Sequence, residues 1–314
     1  MKFSEQKLDY ASVYLEDTDK ALPGKININT RYAYFKTIAK GGKCLIQSCK
    51  DLHLSRAICY KTLLAEFADD PIEQQRFLRE ARVSAMLQHP NTVPTYELGR
   101  DKKGHYYFTM KLVHGYTLRE VLDYRERYDL NQLIDVVIQV AHALEYAHAH
   151  GVVHRDIKPE NILIGPFGEV LLLDWGLAKV WKTDGSDAPL SSNQEDTNSS
   201  NLNITRQGKL QGTVLHMSPE QVAKDPNIDN RTDIYSLGTI LYEILCGKTT
   251  TNGNTIDQII NEIKNNEPSL PSSLVSVNVP HLLEKAAMNC LKKNPDERIQ
   301  TAHELIRLLQ EDSV

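Results

Sequence analysis

The chain has 314 residues, with 36 Lys and Arg against 41 Asp and Glu, a net charge of −5 that argues against broad nucleic-acid or anionic-membrane binding. Hydrophobic residues make up 41% and charged residues 25%, which excludes wholesale disorder, and the length allows one large domain or two modest ones. No stretch approaches the ~20 consecutive apolar residues of a membrane helix, and the charged segment from Met1 to Lys20 lacks the apolar core of a signal peptide.

Residues 1–28 carry no clear period and read as an N-terminal extension. Residues 31–39 and 44–49 are β-rich and flank Lys40-Gly41-Gly42-Lys43, a hairpin-turn pattern. A third strand is predicted over 57–63. Asp70, Pro71 and Glu73 then announce a helix, with an acidic N-cap, a proline in the first turn and a capping-box partner. It should run to about Gln88, before His89-Pro90. Two more strands are predicted over 93–98 and 105–113.

After Gly115 the pattern changes. Leu133, Val136, Val137, Val140, Leu144 and Ala147 recur at three- and four-residue steps, the stripe of a buried helix. Short strands bracket Asn161 to Leu173. Residues 183–204 are rich in Ser, Asn, Asp and Thr, a polar loop longer than most compact domains carry. From Pro219 to Leu309 the pattern is mainly helical. The change from β-rich to α-rich falls near residues 110–115, and no internal repeat is found. The five cysteines (Cys44, Cys49, Cys59, Cys246, Cys290) are scattered and odd in number, which points to reduced thiols and a cytoplasmic setting rather than a disulfide scaffold.

The chemistry concentrates in His154-Arg155-Asp156-Ile157-Lys158-Pro159-Glu160-Asn161, between a helix and a strand. Asp174-Trp175-Gly176 follows thirteen residues after Asn161, then Gly212-Thr213 and Ser218-Pro219-Glu220. Upstream stand Lys61 at a strand end and Glu80 within the capped helix. This ordered set resembles the eukaryotic-like (Hanks-type) protein kinase family in its bacterial serine/threonine form, over about residues 30–310.

The resemblance implies an α+β, two-lobed protein-kinase-like fold. Residues 29–112 would form a β-rich N-lobe with a five-stranded antiparallel sheet, and 113–314 a helical C-lobe, with 29–311 as one kinase domain. It implies ATP with Mg²⁺ (or Mn²⁺) as cofactors and protein Ser/Thr hydroxyls as acceptors; the charge balance and the lack of a long apolar run add the expectation of no nucleic-acid partner and no membrane segment. Asp156 would accept the hydroxyl proton, Lys158 steady the transferring phosphate, and Asn161 and Asp174 supply oxygen ligands to the metal. Lys61, held by Glu80, would pair with the α/β-phosphates. Adenine would lie against Ile38, Ile46 and Cys59 on one side and Leu163 on the other, with Met110 as gatekeeper and the backbones of Lys111 and Val113 at its edge. Glu220 with Arg298 would tie down the activation segment, and Asp233 would anchor the catalytic loop.

Several positions depart from the family pattern. The phosphate-covering turn keeps Gly41, followed by Gly42, but has Ala39 and Cys44 where glycines are usual. Trp175 replaces the usual phenylalanine, and Val214 and His216 replace proline and tyrosine. Arg155 before Asp156 implies control by phosphorylation between Asp174 and Glu220. Lys179 would join Arg155 in a basic pocket for a phosphothreonine of about −1.5 to −2 charge. Thr205, eight residues before Thr213, is the expected acceptor, and Thr213 with Lys158 favours Ser/Thr over Tyr chemistry. Family analogy adds a homodimer for trans-autophosphorylation.

Two rivals stand beside this reading. A pseudokinase scaffold is favoured by the altered turn and opposed by the intact charged set. A small-molecule kinase of related fold would generally lack the Lys158-Pro159-Glu160 string and the Ser218-Pro219-Glu220 closure. His142, His148, His150 and His154 invite a metal cluster, but their positions read better as helix-end and packed histidines. Gly247-Lys248-Thr249 reads as a helix end, because Tyr242 stands where a P-loop needs glycine.

Overall fold

The computed structural model describes residues 21, 31–124, 128–180 and 213–311. By their contacts these residues form two compact units. The first comprises the described residues up to Gln88 together with Val93–His114; the second comprises His89–Thr92 and the described residues from Gly115 onward.

The first unit is a five-stranded antiparallel sheet with one helix. Strands β1 (Tyr32–Lys40), β2 (Cys44–Asp51) and β3 (Arg56–Leu63) are followed by helix α1 (Pro71–Met86), then β4 (Thr95–Arg100) and β5 (Tyr106–Lys111), and the sheet order is β1-β2-β3-β5-β4. The two-residue side-chain period divides the sheet into two faces. Ile58 and Tyr60 of β3 join Tyr107 and Cys49 in one apolar cluster, with the Tyr60 and Tyr107 rings stacked at 4.6 Å. On the other face Leu63 and Phe108 meet Phe77 and Ala81 of α1, and the Phe77 and Phe108 rings lie 5.0 Å apart. Burying a side chain such as Phe77 contributes roughly 2–3 kcal/mol, so this contact is a main hold of the helix on the sheet.

Helix α1 starts as the sequence predicts, with the Asp70 carboxylate accepting from the N–H groups of Ile72 and Glu73. It differs in two respects. It ends at Met86, because Leu87 turns to an extended conformation ahead of His89-Pro90. Glu73 does not complete a capping box. Its carboxylate is taken by Lys43 and Arg76, while the Asp70 N–H donates to the Phe67 carbonyl. The fourth strand begins at Thr95 rather than residue 93, and the fifth ends at Lys111 rather than residue 113.

The second unit is mainly helical. It runs through β6 (Tyr116–Thr117), α2 (Leu118–Asp123), α3 (Leu130–Ala149), β7 (Val152–Val153), a 3₁₀ turn (Pro159–Asn161), β8 (Ile162–Ile164), β9 (Val170–Leu172) and β10 (Lys179–Val180). Helices α4 (Pro219–Ala223), α5 (Arg231–Cys246), α6 (Ile256–Asn265), α7 (His281–Cys290) and α8 (Ala302–Gln310) follow. The α3 stripe is buried as its periodicity predicts. Helix α5 is buried on every face from Thr232 to Cys246, the mark of a central helix. Its Gly238 permits close approach to α7, since a Cβ there would lie 2.4 Å from the Cβ of Cys290. Gly247 ends α5 in the left-handed conformation at φ +72°, so Gly247-Lys248-Thr249 is a helix terminus. No disulfide joins the five cysteines.

Candidate active site

In the first unit the alternation of β3 puts Lys61 on the face that α1 covers. Its Nζ lies 2.5 Å from Glu80 Oε1, with only 10% and 11% of the two side chains exposed, and 5.6 Å from the centre of the Phe108 ring. A buried pair of this kind binds each charge to the other, because removing one strands its partner away from water. The β1–β2 turn is closed by the Gly41 N–H donating to the Cys44 carbonyl at 2.9 Å. Neither Gly41 nor Gly42 has a positive φ, and a Cβ at either would meet no tight contact. The fold itself therefore does not require glycine at these two positions.

The residues expected around adenine are distributed as follows. Ile38 is half exposed, Ile46 partly buried and Cys59 buried, and burial pushes the Cys59 thiol up to about 11. Met110 packs against the Leu63–Phe77–Phe108 cluster at the end of β5. The Lys111 N–H donates to the Pro94 carbonyl, so any adenine contact from Lys111 falls to its own carbonyl. Val113 is partly buried beyond β5; Leu163 lies on β8 in the second unit, also partly buried.

In the second unit the loop after β7 is fixed from below by Asp233, fully buried in the first turn of α5. Its Oδ2 accepts from the His154 N–H at 2.8 Å and its Oδ1 from the Arg155 N–H at 2.8 Å, while His148 Nε2 lies 2.9 Å from Oδ2. Burial alone would raise this carboxyl. The hydrogen bonds from His148 and from the His154 N–H outweigh it and hold the group below the usual carboxylate range. His154 is fully buried. Its Nε2 is 2.9 Å from the Leu173 carbonyl and must donate there, and its Nδ1 accepts from the Asp156 N–H at 3.2 Å. These two bonds require the neutral Nε2–H tautomer. The Trp175 indole, 2% exposed, packs edge-on against that ring at 4.5 Å.

This loop presents Asp156. Lys158 Nζ lies 2.9 and 2.7 Å from its two carboxylate oxygens and 3.3 Å from Thr213 Oγ1. Asn161 Nδ2 donates to the Asp156 carbonyl at 2.8 Å and to its Oδ2 at 2.9 Å, which leaves the amide oxygen as the atom to offer a cation. Burial raises the Asp156 carboxyl above its ordinary range. Lys158 pulls it down through its charge and hydrogen bond, Asp174 pushes it up, and the net direction is upward. A carboxylate with raised basicity and a lysine across it can accept a proton from a hydroxyl. The Leu173 N–H donates to the Asn161 carbonyl at 2.8 Å and so ties the approach to Asp174 to the Asn161 turn.

Arg155 and Asp174 both have positive φ, +67° and +60°. Such conformations persist where surrounding bonds over-determine them. For Arg155 those bonds come from Asp233 and from Gln221, whose Nε2 donates to the Arg155 carbonyl at 2.6 Å. The sequence reading missed Gln221. Its spacing from Ser218 marks the capping box that the structure contains, but nothing in that spacing signals a bond to the catalytic loop. Glu220 pairs with Arg298 through two hydrogen bonds of 2.6 and 2.7 Å, as expected. Arg155 Nε donates to the Leu177 carbonyl and Lys179 Nζ to the Pro226 carbonyl. Thr205, Gly212, residues 1–20 and the polar loop 183–204 lie outside the described residues. His142, His148 and His150 turn to Glu145, Asp233 and the Tyr146 carbonyl respectively, three different partners.

A family model described as the protein kinase domain matches residues 32–308. The chain belongs to the protein kinase domain family. Among similar proteins are the serine/threonine-protein kinase PknD of Protochlamydia amoebophila, 35% identical over 88% of this chain and 29% of the relative. A probable serine/threonine-protein kinase of Clostridium acetobutylicum is 32% identical over 89% and 39%. The serine/threonine-protein kinase PknB of Mycolicibacterium smegmatis is 32% identical over 89% and 42%. The chain thus spans between 29% and 42% of the length of these relatives. Among the described residues no helix is long and apolar enough to cross a membrane.

Proposed function

We propose that this chain transfers the γ-phosphoryl group of ATP to serine or threonine hydroxyls of proteins. The observation that carries the reading is the convergence on Asp156, where Lys158 and Asn161 both bond its carboxylate and Lys158 also reaches Thr213. Kinase-domain membership and the likeness to proteins named as serine/threonine kinases support it.

In this reading Asp156 takes the acceptor hydroxyl's proton as that oxygen bonds to the γ-phosphorus and the bond to the bridging oxygen breaks, releasing ADP. Lys158 keeps the carboxylate oriented and places a positive charge beside the group in transfer. Lys61, oriented by Glu80, binds the α/β-phosphates. The β1–β2 turn covers the phosphates, which gives its two glycines a role the fold does not. Asn161 and Asp174 fit a magnesium ion, since both offer hard oxygen atoms and that ion commonly takes one or two protein ligands and completes its shell with phosphate and water. Magnesium, when bound, neutralises charge on the phosphate oxygens.

Activation is proposed to follow phosphorylation of Thr205 by another copy of the chain, with Arg155 and Lys179 receiving the new charge. Radiolabel transfer from ATP in the full chain and in Asp156→Ala tests the central reading. Loss of the base should lower the rate by about 10²–10⁴. Equal background signal from both proteins would favour the scaffold reading instead. Mapping phosphosites after ATP incubation, with Thr205→Ala alongside, tests the activation step.

A further inference from the structure

Glu73 breaks a local rule. Its place three residues after Asp70 suits a capping box, yet its carboxylate turns away from the helix start. It lies 2.5 Å from Lys43 Nζ and 3.0 Å from Arg76 Nη1, with 11% of the side chain exposed. Lys43 sits in the β1–β2 turn. Its carbonyl accepts from the Leu64 N–H at 2.8 Å, which ties the turn to the end of β3. The lysine side chain is 40% exposed.

The two cations on Glu73 are not equivalent. Arg76 lies on the same helix, so it can neutralise Glu73 but cannot join the helix to anything. Lys43 comes from the sheet and does join them. Seven residues beyond Glu73, roughly 10 Å along the axis at 1.5 Å per residue, Glu80 makes the second charged link, to Lys61. Phe77 on Phe108 lies between these two links. The helix is thus held to the sheet by a charge, a ring and a charge.

We propose that Lys43 is a positioning residue: its pair with Glu73 fixes the first turns of α1 against the β1–β2 turn, so that the placement of Glu80, and through it Lys61, is coupled to the placement of the turn. The proposal rests on the kinase reading for its consequence, but not for its geometry. The presence of Arg76 makes it separable from stability. Without Lys43 the Glu73 charge keeps a partner, so the fold should hold while the link is lost.

The test compares the full chain with Lys43→Met, Lys43→Arg, Glu73→Gln and the double variant Lys43→Met/Glu73→Gln. Hydrogen exchange is followed across α1 in all five proteins, together with kcat and KM for ATP in phosphoryl transfer. Lys43→Met should speed exchange of the α1 amides around Glu73–Glu80 by about tenfold with thermal stability nearly unchanged. It should lower kcat/KM for ATP roughly ten- to a hundredfold. Lys43→Arg should restore both. Glu73→Gln should match Lys43→Met, and the double variant should be no worse than either single one. Unchanged exchange in Lys43→Met overturns the proposal, whether or not the protein transfers phosphate. So does tighter ATP binding in Glu73→Gln, which would mean that Glu73 withholds Lys43 from the nucleotide. Normal exchange effects combined with no transfer in the unmodified chain would uphold the link and sink the kinase reading alone.

Discussion

At the scale of single residues, His216 shows how a burial decision becomes a pH dependence. It stands where the family commonly has tyrosine, and it is fully enclosed, with Nδ1 2.7 Å from Thr239 Oγ1. The Thr239 hydroxyl donates its proton to the Ser236 carbonyl, so the imidazole must be the donor in that pair. Burial first, then the positive charges of Arg119 and Lys158, push the imidazole down to about 3, from an ordinary value of 6.5. Between those values the unfolded chain binds a proton that the native chain refuses. Stability is therefore intact above about 6.5 and is lost as pH falls, by roughly 1.4 kcal/mol per pH unit from this group. In urea unfolding, the native chain should lose about 2 kcal/mol more between pH 6.5 and pH 5 than His216→Asn does. Parallel pH slopes in the two proteins would show that His216 is not the titrating group.

At the scale of elements, the short helix α4 is held to the segment before α8 by one ion pair. The Arg298 guanidinium is fully enclosed. Beyond its two bonds to Glu220 it donates to the carbonyls of Lys292, Lys293 and Arg231. Glu220→Ala would leave that cation buried without a carboxylate and should cost about 3–5 kcal/mol. The double variant Glu220→Ala/Arg298→Met should recover much of the loss, because no buried charge then remains. Denaturant unfolding of the three proteins measures this, and a Glu220→Ala cost below about 1 kcal/mol would remove the pair from any structural role. Elements of this kind were legible in advance wherever a period or a motif reported them. The α3 stripe, the Asp70–Pro71 helix start and the Gly41–Gly42 turn could be read from residue spacing, and the Glu220–Arg298 pair from the resemblance to the kinase family. Other features could not. Glu73 has the spacing of a capping box, but a lysine thirty residues earlier in the chain competes for it. Gln221 caps its own helix and also reaches the Arg155 carbonyl, a contact that spans 66 residues. Local propensity is blind to both, because each is decided by which distant element the fold delivers. The limits of the strands escape for a related reason, since a strand ends where its neighbour stops pairing rather than where its residues change.

At the scale of the whole molecule, thiol chemistry offers a test that samples both units at once. Four of the five cysteines are buried, with burial pushing Cys49 up to about 12 and Cys59 to about 11, and Cys290 above its ordinary range. Only Cys44, beside the β1–β2 turn, is partly exposed. The attacking form of a thiol is its thiolate, so burial limits access to the other four, and lowered acidity adds to this for Cys49, Cys59 and Cys290. A thiol-exchange reagent at pH 8 should therefore consume about one equivalent quickly in the native protein, and all five in denaturant. Cys44→Ser should abolish the fast phase. If the turn covers the phosphates as proposed, ATP with magnesium should slow labelling of Cys44 in the unmodified chain, while the slow phase from the buried thiols should report only general stabilisation by the ligand. A fast phase that survives Cys44→Ser would mean that a supposedly buried strand or helix opens readily. A Cys44 rate indifferent to saturating nucleotide would move the phosphate site away from Gly41 and Gly42, and with it the reason for having glycine there.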